Sequence, residues 1–216
     1  MQGITSQHEN LVFALEKGCG QEPQSSEVYF LASTAFSFIN ARGQDEMMPL
    51  PYKIATLLYC FNQKDEALLL RRKHKPNLGL WSPCGGKLHM ADGESPYACA
   101  CREAGEEIGL KLSHRDLHLT GIVSEYGYEG REHWLLFLFE VLPRLTAVPP
   151  AHDEGVFAFF PAGEIPSLPI PKTDLEQIWP LFWRHRGGFF AAHCRCLGGE
   201  KYQWTLEENA DGPADH

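Results

Sequence analysis

No stretch of this 216-residue chain approaches the roughly 20 consecutive apolar residues that a bilayer-crossing helix needs, so no membrane span is expected. The longest apolar stretch near the N-terminus, around Val28 to Ile39, is broken by Ser33, Thr34 and Ser37. It also lacks the basic flank and early position of a secretion signal, which leaves the cytoplasm as the expected location. Cysteine is short of a framework: seven residues, an odd number, scattered without the spacing of a small secreted domain, read as thiols in a reducing compartment. Cys99 and Cys101, and likewise Cys194 and Cys196, are separated by one residue, whereas structural zinc sites usually separate paired cysteines by two to four. If the first pair lies on a helix, its side chains point about 200° apart and cannot share an ion. Basic residues are in deficit, 19 against 28 acidic for a net charge of −9, and that balance repels a long nucleic acid. They cluster once, at Arg71, Arg72, Lys73, His74 and Lys75, as a solvated strand end or as a phosphate-contacting lip. Internal repeats are missing too, and so is any visible Ser-His-Asp or Cys-His arrangement for covalent catalysis.

What is present is a soluble globular composition, 44% apolar and 22% charged. Residues 1–50, rich in Ser, Gln and Gly with one short helical stretch from Glu9 to Lys17, read as an appendage; Met47 and Met48 are candidate natural starts. From Tyr52 the pattern sharpens. Ile54 to Phe61 and Ala67 to Leu70 are apolar runs around a turn-like Asn62 to Asp65, which reads as a hairpin. Pro76, Asn77 and Gly79 break the chain, and Trp81 to Lys87 is a Gly-rich approach to a helix. That helix opens near Ser95 with Pro96 in its first turn and stops at Gly109. Leu117 to Val123, Trp134 to Val141 and Val156 to Phe160 read as strands, the second apolar enough for burial on both faces. Leu175 to Trp183 reads as a helix, followed by apolar and polar pieces through Trp204. Residues 51–208 then make one domain, and 209–216 a disordered acidic tail. Strands interleaved with helices make the fold class α/β or α+β.

On the central helix, Ala98, Cys101, Ala104, Gly105 and Ile108 fall on one side, while Glu103, Glu106 and Glu107 lie within roughly a 100° arc of the other. Like charges at i, i+3 and i+4 cost a few tenths of a kcal/mol per pair. A hard divalent cation offsets that repulsion directly. Glu94 precedes the helix, and Arg102 sits inside the cluster as a counter-charge able to hold a carboxylate bidentately. Taken alone, three glutamates on a helix are most often a solvated face.

The order of residues argues otherwise. Gly85-Gly86-Lys87, Gly93-Glu94-Ser95 and Arg102-Glu103-Ala104-Gly105-Glu106-Glu107-Ile108-Gly109-Leu110 resemble the signature of the Nudix hydrolase family. Every specified position from Glu94 to Leu110 matches, and the recognisable resemblance runs from about Tyr52 to Leu168. One departure is visible. The family usually places a glycine six residues before the first Glu, where this chain has Leu88, so the loop Leu88 to Asp92 carries an apparent two-residue insertion. Because it lies in a loop, a changed loop shape rather than lost chemistry is expected.

The resemblance implies a Nudix-type α/β/α sandwich with a mixed sheet, and magnesium- or manganese-dependent hydrolysis of the pyrophosphate bond in a nucleoside diphosphate linked to a further group. By position it implies Glu106 and Glu107 as metal ligands, Glu103 as ligand or water-activating base, and the Gly85 carbonyl as a further candidate ligand. Glu94 and Arg102 would brace them. A carboxylate from outside the motif often joins, with Glu154 or Asp153 best placed. For the substrate, Arg71 and Lys87 are candidate phosphate contacts, and Trp81, Phe61 and Tyr126 candidate base-stacking groups. The expected partner is a small nucleotide, with a homodimer left open. Tyr126 and Tyr128 resemble a position of diadenosine polyphosphate hydrolases, while nucleoside triphosphates are the broadest default. Two other readings stand beside this one: a Nudix-like module that binds a nucleotide without cutting it, and an acidic helix serving as a protein-contact surface.

Overall fold

The computed structural model describes residues 51–212. The readings placed on residues 1–50, including the helix from Glu9 to Lys17, and on residues 213–216 lie outside the described residues. Among those described, the strands are β1 (Tyr52–Tyr59), β2 (Ala67–Arg72), β3 (Trp81–Ser82), β4 (Leu117–Tyr128), β5 (Glu132–Val141), β6 (Gly155–Phe160), β7 (Phe189–Cys196) and β8 (Tyr202–Ala210). The main helix is α1 (Pro96–Ile108), and a π-helical turn, Asp174–Ile178, leads into the short α2 (Trp179–Arg184).

Five strands form a mixed sheet in the order β1-β5-β4-β7-β8, and β3-β2-β6 form a second, antiparallel sheet. The long apolar run of β5 is central, paired parallel to β1 and antiparallel to β4, and it is buried on both faces. Phe139 packs with Ala100, Ala104 and Ile108 of α1, and Leu138 packs with Trp179 and Phe182 of α2. The sheet thus lies between the two helices, the sandwich expected from the sequence. At about 25 cal/mol per Å² of apolar area, burial of these large side chains on both faces dominates the stabilisation.

The hairpin expected of the first two runs does not form as a ladder. β1 and β2 meet only at a bridge between Phe61 and Ala67 and then part into different sheets. The edge of β1 that β2 would have taken is filled by the Gly-rich segment. Leu58 N–H donates to the Cys84 carbonyl (2.8 Å), Thr56 N–H to the Gly86 carbonyl (2.9 Å), and Leu88 N–H to the Ile54 carbonyl (3.0 Å). At the other end, Asn209 and Ala210, assigned above to a disordered tail, close β8 by pairing with Phe190 and Phe189.

α1 begins and ends where the sequence places it. Ser95 caps it by accepting from the Ala98 N–H (3.2 Å), Pro96 takes the first turn, and Gly109 closes it in the left-handed region at φ 69°. Its faces differ from the expected division. The buried residues are Cys99, Ala100, Ala104 and Ile108, while Gly105 is exposed. Glu103 and Glu107 follow Cys99 and Ala104 at helical spacing, so they flank the buried stripe instead of opposing it. The loop Leu88 to Asp92 forms a short 3-10 turn, Met90–Asp92, closed by Gly93 at φ 64°, and Glu94 reaches back to accept from the His89 N–H (2.8 Å).

Candidate active site

The Gly-rich segment pairs with β1 through Cys84 and Gly86, so strand alternation turns the peptide groups of Gly85 the other way, toward α1. There the Gly85 N–H donates to Glu107 at 2.8 Å. Both glycines sit at close approaches, Gly85 against backbone and Gly86 against a side chain. Gly85 has φ 132°, and a Cβ on it would collide with the Thr56 carbonyl; one on Gly86 would collide with the Glu103 carboxylate. The helix and the loop therefore lie in direct contact, and the carboxylates of one rest on the backbone of the other.

Arg102 binds this cluster together. It holds Glu94 bidentately (2.9 and 3.0 Å) and donates to Glu103 (2.7 Å), Glu106 (3.0 Å) and the Lys87 carbonyl (3.1 Å). The guanidinium beside Glu94 holds its carboxyl down at about 2. Burial acts the other way on its neighbours, pushing Glu103 up and Glu107 up to about 7. A groove of about 390 Å³ gathers Glu103, Glu106, Glu107, Glu154, Arg72, His152 and Gly85–Lys87. Among the described residues no three His, Cys, Asp or Glu side chains already converge on one point at ligand distance. The donor set nevertheless suits a hard divalent cation: four carboxylates in one groove, where a cation would offset the burial that pushes Glu107 up to about 7. Zinc is not indicated. Cys99 is buried beside Thr56 and the Gly86 carbonyl while Cys101 lies elsewhere on the helix, and the six described cysteines are free.

Beside the groove a cavity of about 290 Å³ opens. The two share the wall formed by Arg72, Gly85, Gly86, Lys87 and Glu154. Trp134 and Leu136 of β5 and Tyr128 of β4 give the cavity an apolar side, while Asn77, Ser82, Glu125, Thr173 and Asp174 give it a polar one. Glu125 is 5% exposed. It accepts from the Thr173 hydroxyl at 3.5 Å, and the same hydroxyl lies 3.4 Å from Asp174. Burial, with the Asp174 charge beside it, raises Glu125 to about 7, and burial raises Asp174 to about 7 against the lowering effect of the Thr173 hydroxyl.

The structure brings together Glu94, Arg102, Glu103, Glu106, Glu107, Gly85, Glu154 and Lys87, and leaves the other candidates outside. Arg71 is exposed, with its Nε on the Gly79 carbonyl; Arg72, one residue on and on the opposite face of β2, is the arginine in the site and lies 3.6 Å from Glu154. Trp81 packs edge-on against Phe160, Phe61 is fully buried in the core, and Tyr126 stacks on His133 on the other face of the sheet. A bulge in β4 between Glu125 and Tyr128 resets the alternation, so Tyr128 faces the cavity with Glu125. Sequence reasoning named Arg72 only within the basic cluster Arg71 to Lys75, and missed Glu125, Trp134, Thr173 and Asp174. Only Glu125, the single acidic residue of β4, carried a signal that could have found it.

Comparison with known proteins bears on the family and the fold. Residues 51–179 match the family model described as the NUDIX domain. Similar solved structures include the mutator MutT protein from Bacillus halodurans, 23% identical, with a TM-score of 0.58 over 72% of this chain and 97% of that one. The MutT protein from Methanosarcina mazei is 24% identical, with a TM-score of 0.51 over 62% and 93%. The Nudix domain of Shewanella oneidensis NrtR, crystallised with ADP ribose, is 16% identical with a TM-score of 0.50 over 68% and 94%. With its motif, its loop-on-helix site and a family match over more than half its length, the chain belongs to the Nudix family.

Proposed function

We propose that this protein hydrolyses the pyrophosphate linkage of a nucleoside diphosphate derivative, with a magnesium or manganese ion in the carboxylate groove. The observation that carries the reading is the shared wall of cavity and groove, which lets one ligand place an aromatic base in the first and its phosphates in the second. Trp134 and Tyr128 offer faces to a base, while Asn77, Glu125 and Asp174 offer polar atoms to its edge. Arg72 and Lys87 stand on the shared wall, where the phosphates would pass.

Glu106, Glu107, Glu103, Glu154 and the Gly85 carbonyl are the groups that would hold the ion. When bound, such an ion neutralises phosphate oxygens and lowers the pKa of the attacking water. Arg102 fixes Glu103 so that its carboxylate faces the groove, and Glu94 in turn fixes Arg102. Glu103 is then the group on which a metal-holding and a proton-accepting role converge. The six described cysteines are free thiols, which suits a cytoplasmic setting, and among the described residues no helix is long and apolar enough to cross a membrane.

The test is a panel of nucleoside triphosphates, dinucleoside polyphosphates and nucleotide sugars incubated with magnesium, with released phosphate and pyrophosphate counted. Turnover of at least one compound, abolished by excess chelator, is expected. Tight nucleotide binding without turnover would favour the non-catalytic module, and full turnover in chelator would overturn the metal dependence.

A further inference from the structure

β7 and β8 lie beyond the residues that match the NUDIX model, and although neither lines the cavity, both pack behind elements that do. β7 runs parallel to β4 with Cys194 beside Glu125, so the strand that carries this buried acid has its outer edge closed at that point. β8 pairs with β7 and places Tyr202 and Trp204 beside Cys196 and Cys194. Trp204 packs on the core that holds Trp134 and Ile178. The Tyr202 hydroxyl donates to Glu176 and accepts from the Gln177 side-chain amide at 3.2 Å.

Glu176 and Gln177 are neighbours in the π turn Asp174–Ile178. A π turn is wider than an α turn by one residue, is rarely stable by itself, and gathers at functional sites. Here it opens on Asp174, preceded by Thr173, and both line the cavity against Glu125. One hydroxyl from β8 thus bridges two adjacent residues on the far side of the turn whose start forms the polar side of the cavity.

We propose that Tyr202 is a positioning residue for the nucleotide site: by bridging Glu176 and Gln177 it fixes the π turn that presents Thr173 and Asp174 beside Glu125, making the β7–β8 hairpin a working part of the cavity. The proposal rests on the reading of that cavity as the base site.

The experiment uses the full chain and the nucleotide that the parent turns over best in the panel. Kinetics and melting curves are taken for Tyr202→Phe, Asp174→Asn and the double variant. Removing the hydroxyl deletes one strong and one ordinary hydrogen bond, so Tyr202→Phe should raise KM about three- to tenfold with kcat within about twofold and melting little changed. Because Tyr202 acts through the turn bearing Asp174, the double variant should be little worse than Asp174→Asn alone. If Asp174→Asn raises KM but Tyr202→Phe does not, or if the two effects simply add, the positioning role falls and the cavity reading stands. If Asp174→Asn itself leaves KM unchanged, both fall. A Tyr202→Phe variant that melts early and loses kcat in proportion would show the hydroxyl to be structural support only, and would also overturn the proposal.

Discussion

Arg102 illustrates how much of this site depends on one side chain: its guanidinium engages Glu94 bidentately and touches Glu103 and Glu106 as well. Such fixed geometry makes the role of Glu103 testable by a change that keeps shape. Replacing Glu103 with Gln removes a negative charge from a crowded face, so the fold should survive or gain slightly. Turnover should fall by about 10² to 10⁴ with nucleotide affinity within a few-fold of the parent, checked by kinetics beside a melting curve; turnover within threefold of the parent would remove Glu103 from the chemistry. Glu107 yields a second prediction, from linkage. Its folded carboxyl titrates near 7 against an ordinary 4.5, so its contribution to stability is full below about pH 4.5 and lost as pH rises through about 7. A cation relieves that loss and must displace the proton at low pH. Magnesium should therefore raise the melting temperature more at pH 8 than at pH 5, and Glu107→Gln should flatten the difference. Equal gains at both pH values in the parent would contradict the assignment of Glu107 as a ligand.

At the scale of elements, the loop–helix contact is the most exacting feature. Gly86→Ala would press a methyl group against the Glu103 carboxylate, a side chain that can swing aside, so the variant should fold yet lose turnover at least tenfold. An alanine variant with parental turnover would show that Glu103 needs no fixed seat against the loop. The boundaries of α1 were legible because Ser95, Pro96 and Gly109 are local signals. The phase of β2 was not. Ala67 to Leu70 are buried on both faces, which removes the alternation that would have shown Arg72 and not Arg71 facing the site. The bulge in β4 likewise hid the partnership of Glu125 and Tyr128, since the parity of a strand cannot be carried across an unseen extra residue. The β1–β2 hairpin failed as a reading for a related reason: adjacency in sequence favours pairing, but the Gly-rich segment competes for the same edge and wins it.

For the whole molecule, we propose that residues 51–212 form a self-sufficient unit, because the family match begins at residue 51 and the described residues alone build two apolar clusters, one on each face of the main sheet. A chain shortened to Pro51–Gly212 should express in soluble form and keep turnover, measured against the full-length protein. Insolubility or inactivity would make the first fifty residues part of the domain or of a dimer interface. A second truncation, ending at Trp179 where the family match stops, should not fold, since it discards Phe182, Phe190 and Ala192 from the core. What the sequence by itself determined is the family, the helix with its caps and the carboxylate cluster, because these rest on residues within one contiguous segment whose spacing a helix converts directly into geometry. What only the tertiary structure decided is the other half of the site. Arg72, Glu125, Trp134 and Asp174 come from four separate elements, and which of them meet depends on sheet order, strand phase and a π turn, all settled by packing over long sequence separations that no local pattern encodes.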